Sequence, residues 1–251
     1  MCAAIQLQKA GHTSILILGR SHEVGGTWRD NEYPGCACDV PSQLYSLSFE
    51  TNTEWTQPYP QQPEIQRYIL RVTEKYGLRP LIRFGVDVQA MRRLPELQLW
   101  QIDRAGDSPL LAVHVILATV PLNKPIIPNL PGLSEFVGTS FHSSQWRHDV
   151  DLKAKRVAVV GTGASAVQFV SEIVLAAAQV TVFQRTAAWV LPRWNKPYSA
   201  LRLWAYRHVP GLQRLSRWRV YWFNELVGTG FMGARWMQNS LKRLSDHHVR
   251  A

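Results

Sequence analysis

The sequence predicts an α/β fold: two strand–helix–strand units, followed by a helical insertion. Three observations predict it. The apolar run Arg156-Val157-Ala158-Val159-Val160 leads straight into Gly161-Thr162-Gly163-Ala164-Ser165-Ala166, and a second run, Gln179–Phe183, returns one helix later. A shorter run, Ser14–Leu18, sits near the start and opens a second unit of the same kind. After Pro197 the spacing of apolar residues is helical, with breaks at Pro210-Gly211 and around Gly228 to Gly233.

The elements between these anchors follow from local pattern. Residues 2–10 have helical composition and end at Gly11, a C-cap residue. Residues 14–18 suit a buried parallel strand. From Glu64 to Tyr76, apolar residues at 65, 68, 69, 72 and 76 lie on one helical face, and Gly77 ends the helix. Residues 82–89 and 97–103 alternate and suggest a small antiparallel excursion. Residues 112–118, Ala-Val-His-Val-Ile-Leu-Ala, read as a return to a buried strand. A connector with Pro121, Pro125, Pro128 and Pro131 then leads to the strand at 156–160, a helix over 165–178 and the strand at 179–183.

Composition narrows the function classes. A chain of 251 residues with 46% hydrophobic residues, 16 Gly and 15 Pro is globular and fits one or two domains. No apolar run reaches the roughly 20 residues of a membrane span. The first residues lack the cationic-then-apolar pattern of a secretory signal, and a cytoplasmic location is expected. Cys36 and Cys38 are one residue apart, poor geometry for a mutual bridge, and no Cys or His completes a zinc site with them, so reduced thiols and no metal are expected. The net charge is +10. Residues 193–251 hold eleven Lys or Arg against Glu225 and Asp246, and five of the ten tryptophans. That segment reads as helices walling a cleft that handles a polyanionic cofactor. Peripheral membrane contact is the alternative, and nucleic acid is not expected as a partner.

The glycine motif carries the chemistry. A pyrophosphate needs backbone N–H donors at close range and a helix N-terminus aimed at it. Gly161 permits the tight turn, Gly163 removes the Cβ where phosphate approaches, and Ala166 lets the helix pack on the strand, with Thr162 and Ser165 in the same turn. An NAD site carries an acid at the end of the second strand. Here Gln184-Arg185-Thr186 stands there instead. Arg185 pairs with a 2′-phosphate and Thr186 donates a hydroxyl, so NADP(H) is expected over NAD(H).

Two further stretches carry a family resemblance. Phe136-Val137-Gly138-Thr139-Ser140-Phe141-His142-Ser143-Ser144-Gln145-Trp146 resembles the F-x-G-x-x-x-H-x-x-x-W fingerprint of Baeyer–Villiger monooxygenases, with Arg147 where Pro or Asp is usual. Val24-Gly25-Gly26-Thr27-Trp28, continuing through Tyr33-Pro34-Gly35-Cys36-Ala37-Cys38-Asp39 to Tyr45-Ser46, is similar to the flavin-side loop of the cyclohexanone- and 4-hydroxyacetophenone-monooxygenase subgroup. The resemblance implies two Rossmann-like dinucleotide-binding units: residues 1–121 as a partial FAD-binding domain, and 122–251 as an NADP-binding domain, helical from about 198. It implies that Gly25, Gly26, Thr27, Trp28, Asp39, Tyr45 and Val88 line FAD. Asp39 would modulate a catalytic arginine, and His142 would link domain motions. It implies that NADPH reduces FAD, which captures O2 as a C4a-peroxide that attacks a ketone or a soft heteroatom.

The sequence also departs from that family. Residues 2–10 match the helix that follows the family's first strand and G-x-G-x-x-G loop, and no such loop precedes Cys2. Gly19 stands where an acid holds the FAD ribose, Val120 replaces the glycine of an Ala-Thr-Gly turn, and the peroxide-stabilising arginine has no match before Ala251. The expectation is a truncated or degraded copy with little or no oxygenation, or an NADP-binding remnant.

Overall fold

The computed structural model describes residues 1–119, 124–186 and 190–250, for 249 and 250 the backbone alone. Its residues gather into two compact units, each drawn from two stretches of chain: 1–32 with 65–145, and 33–64 with 146–251.

In the first unit, α1 (Cys2–Lys9) buries Ala4 and Ile5 and closes where Gly11 takes φ +88° and its N–H returns to the Gln8 carbonyl. α3 (Gln62–Lys75) buries Ile65, Tyr68 and Val72 along one face. Gly77, at φ +59°, turns the chain out of it, and the Leu78 that follows is fully buried. Each such aliphatic side chain contributes roughly 1.5–3 kcal/mol on leaving water. β1 (Ile17–Leu18) pairs in parallel with β2 (Ile82–Arg83), Ile17 opposite Ile82. The ladder is shorter than the run 14–18 promised, and Leu16 is left 44% exposed. A short α2 (Thr27–Asp30) follows Gly26.

The antiparallel excursion has three strands where the sequence suggested two: β3 (Val88–Leu94), β4 (Leu99–Arg104) and β5 (Asp107–Ala112), in that order. Residues 82–83, expected within it, belong to the parallel ladder instead. The expected buried strand over 112–118 is not there. Ala112 ends β5, and residues 113–119 run on without ladder partners. An apolar run is held as a strand only where neighbouring strands take up its N–H and C=O groups, and none of the described strands does so. Ile116 and Leu117 are 61% and 65% exposed. Val120, together with Pro121 at the proposed domain boundary, lies outside the described residues.

In the second unit, β6 (Arg156–Val160) and β7 (Gln179–Phe183) pair in parallel, Val157 opposite Val180 and Val159 opposite Val182. α4 (Ala164–Ile173) joins them and buries Phe169 and Ile173. It is shorter than the expected 165–178. The Ala178 N–H goes to the Lys155 carbonyl, so the chain must leave helical geometry to start β7. α5 (Ala200–His208) is capped by Ser199, whose hydroxyl accepts from the Arg202 N–H. α6 (Leu212–Phe231) begins after Pro210-Gly211 as expected, but runs through Gly228 and Gly230, and the break falls at 232–234. Gly230 is needed there: a Cβ would lie 2.9 Å from Met237 Cγ on α7 (Arg235–Arg250). No described helix is long and apolar enough to cross a membrane.

Candidate nucleotide site and flavin-side loop

The turn after β6 has the form a pyrophosphate requires. Gly161 takes φ +109°, a region closed to most side chains, and its N–H bonds to the Phe183 carbonyl at 2.9 Å. Gly163 is the N-cap of α4, and no side chain caps it. The first-turn amides of a helix have no partners within the helix, so those of Ala164, Ser165 and Ala166 point out of its uncapped end. A Cβ built on Gly161 or Gly163 meets nothing within 4 Å, so the space a phosphate would enter is open. Arg185 and Thr186 are exposed just beyond the end of β7. Thr162 and Ala166 sit in the turn and on the first turn of α4, as the spacing requires.

A second feature of this unit is a clasp that the motifs did not single out. Gln168 lies one turn into α4. Its Oε1 accepts from the Tyr33 hydroxyl at 3.0 Å and from the Ala37 N–H at 3.1 Å, and its Nε2 donates to the Ala37 carbonyl at 2.9 Å. Burial pushes the Tyr33 pKa up to about 12, against the lowering effect of Ser165. Gly35 takes φ +73°, and a Cβ there would stand 3.0 Å from the Gln168 carbonyl oxygen and 2.9 Å from Glu172 Cγ, so the loop touches the helix directly. Phe169 packs against Tyr33 at 6.0 Å and Trp146 at 5.3 Å between ring centroids. Cys36 and Cys38 are buried inside this loop, and burial pushes the Cys38 thiol up to about 11. They are free thiols, and among the described residues no group of His, Cys, Asp and Glu is placed to hold a metal. No local signal in the sequence marks the clasp: Gln168 is a single polar residue between Val167 and Phe169.

The residues expected on the flavin side are divided between the units. Gly25, Gly26, Thr27, Trp28 and Val88 belong to the first, and Asp39 and Tyr45 to the second. Gly25 takes φ +123°, and a Cβ there would fall 2.1 Å from Gln66 Oε1, so this glycine makes room for a neighbouring side chain. Gly26, at φ +55°, faces open space. Asp39 is exposed directly after the clasped segment, and Tyr45 is half-buried. Gly19, past β1, also borders open space and offers no carboxylate. In the fingerprint, His142 Nδ1 accepts from the Ser144 N–H at 3.1 Å and meets its hydroxyl at 2.9 Å, leaving the ring proton on Nε2. Arg147 pairs with Asp149.

Helices α5 and α6 wall a cavity of about 650 Å³ lined by Leu212, Leu215, Trp218 and Trp222, with Arg202 and Tyr206 at one end. Arg202 is held in place there. Its Nε and Nη2 donate to the Tyr206 hydroxyl at 3.0 and 2.8 Å, and its guanidinium stacks 4.1 Å from the Tyr198 ring.

Similarity to known proteins agrees with this arrangement. Residues 16–214 match the family of flavin-binding monooxygenase-like proteins. The chain is 44% identical over 229 residues to a Baeyer–Villiger monooxygenase of Streptomyces coelicolor, covering 91% of this chain and 44% of that protein. It is 41% identical over 246 residues to a Baeyer–Villiger monooxygenase of Pseudomonas aeruginosa, covering 98% and 47%. The crystal structure of OTEMO in complex with FAD and NADP superposes with a TM-score of 0.74 at 32% identity, over 90% of this chain and 42% of that one. The chain therefore spans a little under half the length of the relatives it matches. The glycine turn, the flavin-side loop and the match over most of the sequence lead to one conclusion: this chain belongs to the flavin-binding monooxygenase-like family.

Proposed function

We propose that this chain supplies the NADPH-binding part, and some of the FAD-side residues, of a monooxygenase that inserts one oxygen atom from O2 into a ketone or onto a soft heteroatom. The observation that carries this is the β6–α4 turn. Its two glycines open onto free space, the end of α4 is uncapped, and Arg185 and Thr186 follow β7. These residues fit NADP(H). The amides of Ala164, Ser165 and Ala166 bind pyrophosphate, Arg185 pairs with the 2′-phosphate, and Thr186 donates its hydroxyl.

The residues fit FAD in part. Gly26 is open to close approach, and Trp28, Asp39, Tyr45 and Val88 are the residues we assign to the flavin side. Gly19 gives the ribose no acceptor. When bound and reduced by NADPH, FAD supplies the activation of O2. The chain's residues bind and orient the nucleotide, and α5 and α6 offer an open, largely apolar groove for a small organic substrate. His142, with its Nδ1 occupied by Ser144, keeps a proton on Nε2 for a partner that changes with conformation. By this reading residues 1–121 belong to the FAD side and 122–251 to the NADP side, although residues 33–64 group with 146–251 and residues 124–145 with 1–32 and 65–119.

With Gly19 in place of a ribose acceptor FAD binds more weakly, since a hydrogen bond to a charged group is worth roughly 1.5–3 kcal/mol. The purified chain is therefore expected to bind NADP(H), to retain little FAD and to show little ketone-dependent NADPH consumption without added FAD. A yellow preparation that retains FAD and consumes NADPH only when a ketone is present overturns the inactive reading. Failure to bind NADP(H) at all overturns the whole proposal.

A further inference from the structure

We infer that Tyr33 and Gln168 are positioning residues that couple the nucleotide-binding turn to the flavin-side loop, so that a nucleotide on α4 fixes the Tyr33–Asp39 segment. This deepens the reading above and rests on it. The argument is geometric. Ser165, in the turn proposed to receive the phosphates, stands three residues before Gln168 on α4. The Tyr33 hydroxyl donates to Gln168 Oε1 at 3.0 Å. Gln168 then holds both the N–H and the carbonyl of Ala37, at 3.1 and 2.9 Å.

A primary amide is the group this requires. One end accepts twice and the other donates, as a carboxylate cannot. The peptide of Ala37 is thereby gripped on both its hydrogen-bonding groups, in place of the water an exposed loop would use. The loop is otherwise tied at few points: Cys38 N–H to the Pro60 carbonyl at 2.9 Å, Gln62 N–H to the Cys36 carbonyl at 2.9 Å, and Arg193 Nη2 to the Cys38 carbonyl at 2.9 Å. Gly35 has no room for a side chain between loop and helix, so the segment rides on α4 with direct backbone contact. Asp39, assigned to the flavin side, is the next residue beyond the clasped stretch. A phosphate that orders the first turn of α4 orders Gln168 on the same helix, and through its bonds to Tyr33 and Ala37 it restrains the loop that carries Asp39.

Cys36 and Cys38 report the state of this loop, because both are buried within it and react with a thiol reagent only when it opens. The test uses the full chain with Cys2→Ser, so that the exposed thiol does not interfere. Alkylation of Cys36 and Cys38 is timed with and without saturating NADP+, and NADP+ affinity is measured separately by calorimetry. NADP+ is expected to slow alkylation at least roughly fivefold. Gln168→Met, which keeps the volume and removes all three hydrogen bonds, is expected to raise the nucleotide-free rate and abolish the protection while NADP+ still binds within roughly threefold of the parent. Tyr33→Phe, which removes only the hydroxyl's bond to Gln168, should give an intermediate loss of protection with an unchanged circular-dichroism spectrum. If NADP+ binds the parent and leaves the alkylation rate unchanged, or if Gln168→Met keeps full protection, the coupling is wrong. If NADP+ does not bind the parent, the nucleotide-site reading fails first.

Discussion

At the scale of the residue, cofactor choice rests on what replaces an acid. Gln184-Arg185-Thr186 follows β7, so in the proposed reading a 2′-phosphate would meet a guanidinium and a hydroxyl where a carboxylate would repel it. Arg185 is exposed, so solvent screens the pairing and its worth lies at the low end for a charge-assisted contact. Arg185→Ala is expected to weaken NADP+ binding by roughly tenfold and to leave NAD+ binding unchanged, in calorimetric titrations run at one fixed salt concentration. The turn and the strand end themselves were legible because they are local: Gly161 turns the chain at φ +109° and β7 ends at Phe183, as their neighbours in sequence predict. Gln168 was not legible. Its partners, Tyr33 and Ala37, lie 135 and 131 positions away, and nothing in the local pattern distinguishes a polar residue facing solvent from one facing a loop. Gly25 was read as a cofactor approach, but the space beside it belongs to Gln66.

At the scale of the element, the strands of the second unit matched the sequence at both ends, because short β-branched runs, one stopped by Gly161 and the other flanked by Gln179 and Gln184, leave little freedom. Where the pattern was an apolar run alone, over 112–118, it misled: β5 had already been formed by 107–112, and a ladder depends on a neighbour that the run itself does not encode. Helix ends moved for related reasons. α4 stops early because Ala178 is committed to Lys155, and α6 passes its glycines because Gly230 packs against Met237. The entry to β6 carries strain. Ala154 sits at φ +57°, a left-handed conformation that costs an L-residue with a Cβ roughly 1–2 kcal/mol. Ala154→Gly is expected to stabilise the chain by about 1 kcal/mol after the extra backbone entropy of glycine is counted, seen as a higher denaturant midpoint with an unchanged slope. No gain, or a loss, means that Ala154 is relaxed there.

At the scale of the whole molecule, each compact unit is built from two separate stretches of chain, and this was the least legible feature. Residues 33–64 join 146–251 through single long-range contacts such as Tyr198 Oη with Ser42 Oγ at 3.0 Å and Arg217 Nη1 to the Gln43 carbonyl at 2.7 Å. Large apolar side chains remain on the surface, among them Leu175 at 84% and Phe183 at 56% exposure. The central claim is still confined to one turn and can be measured there. An amide chemical-shift titration of the isotope-labelled chain with NADP+ tests it most directly. The largest shifts are expected at Gly161 to Ala166, with a second cluster at Arg185 and Thr186 that NAD+ does not reproduce. Shifts that leave residues 161–166 unmoved, or a response to NAD+ equal to that for NADP+ at both clusters, would contradict it.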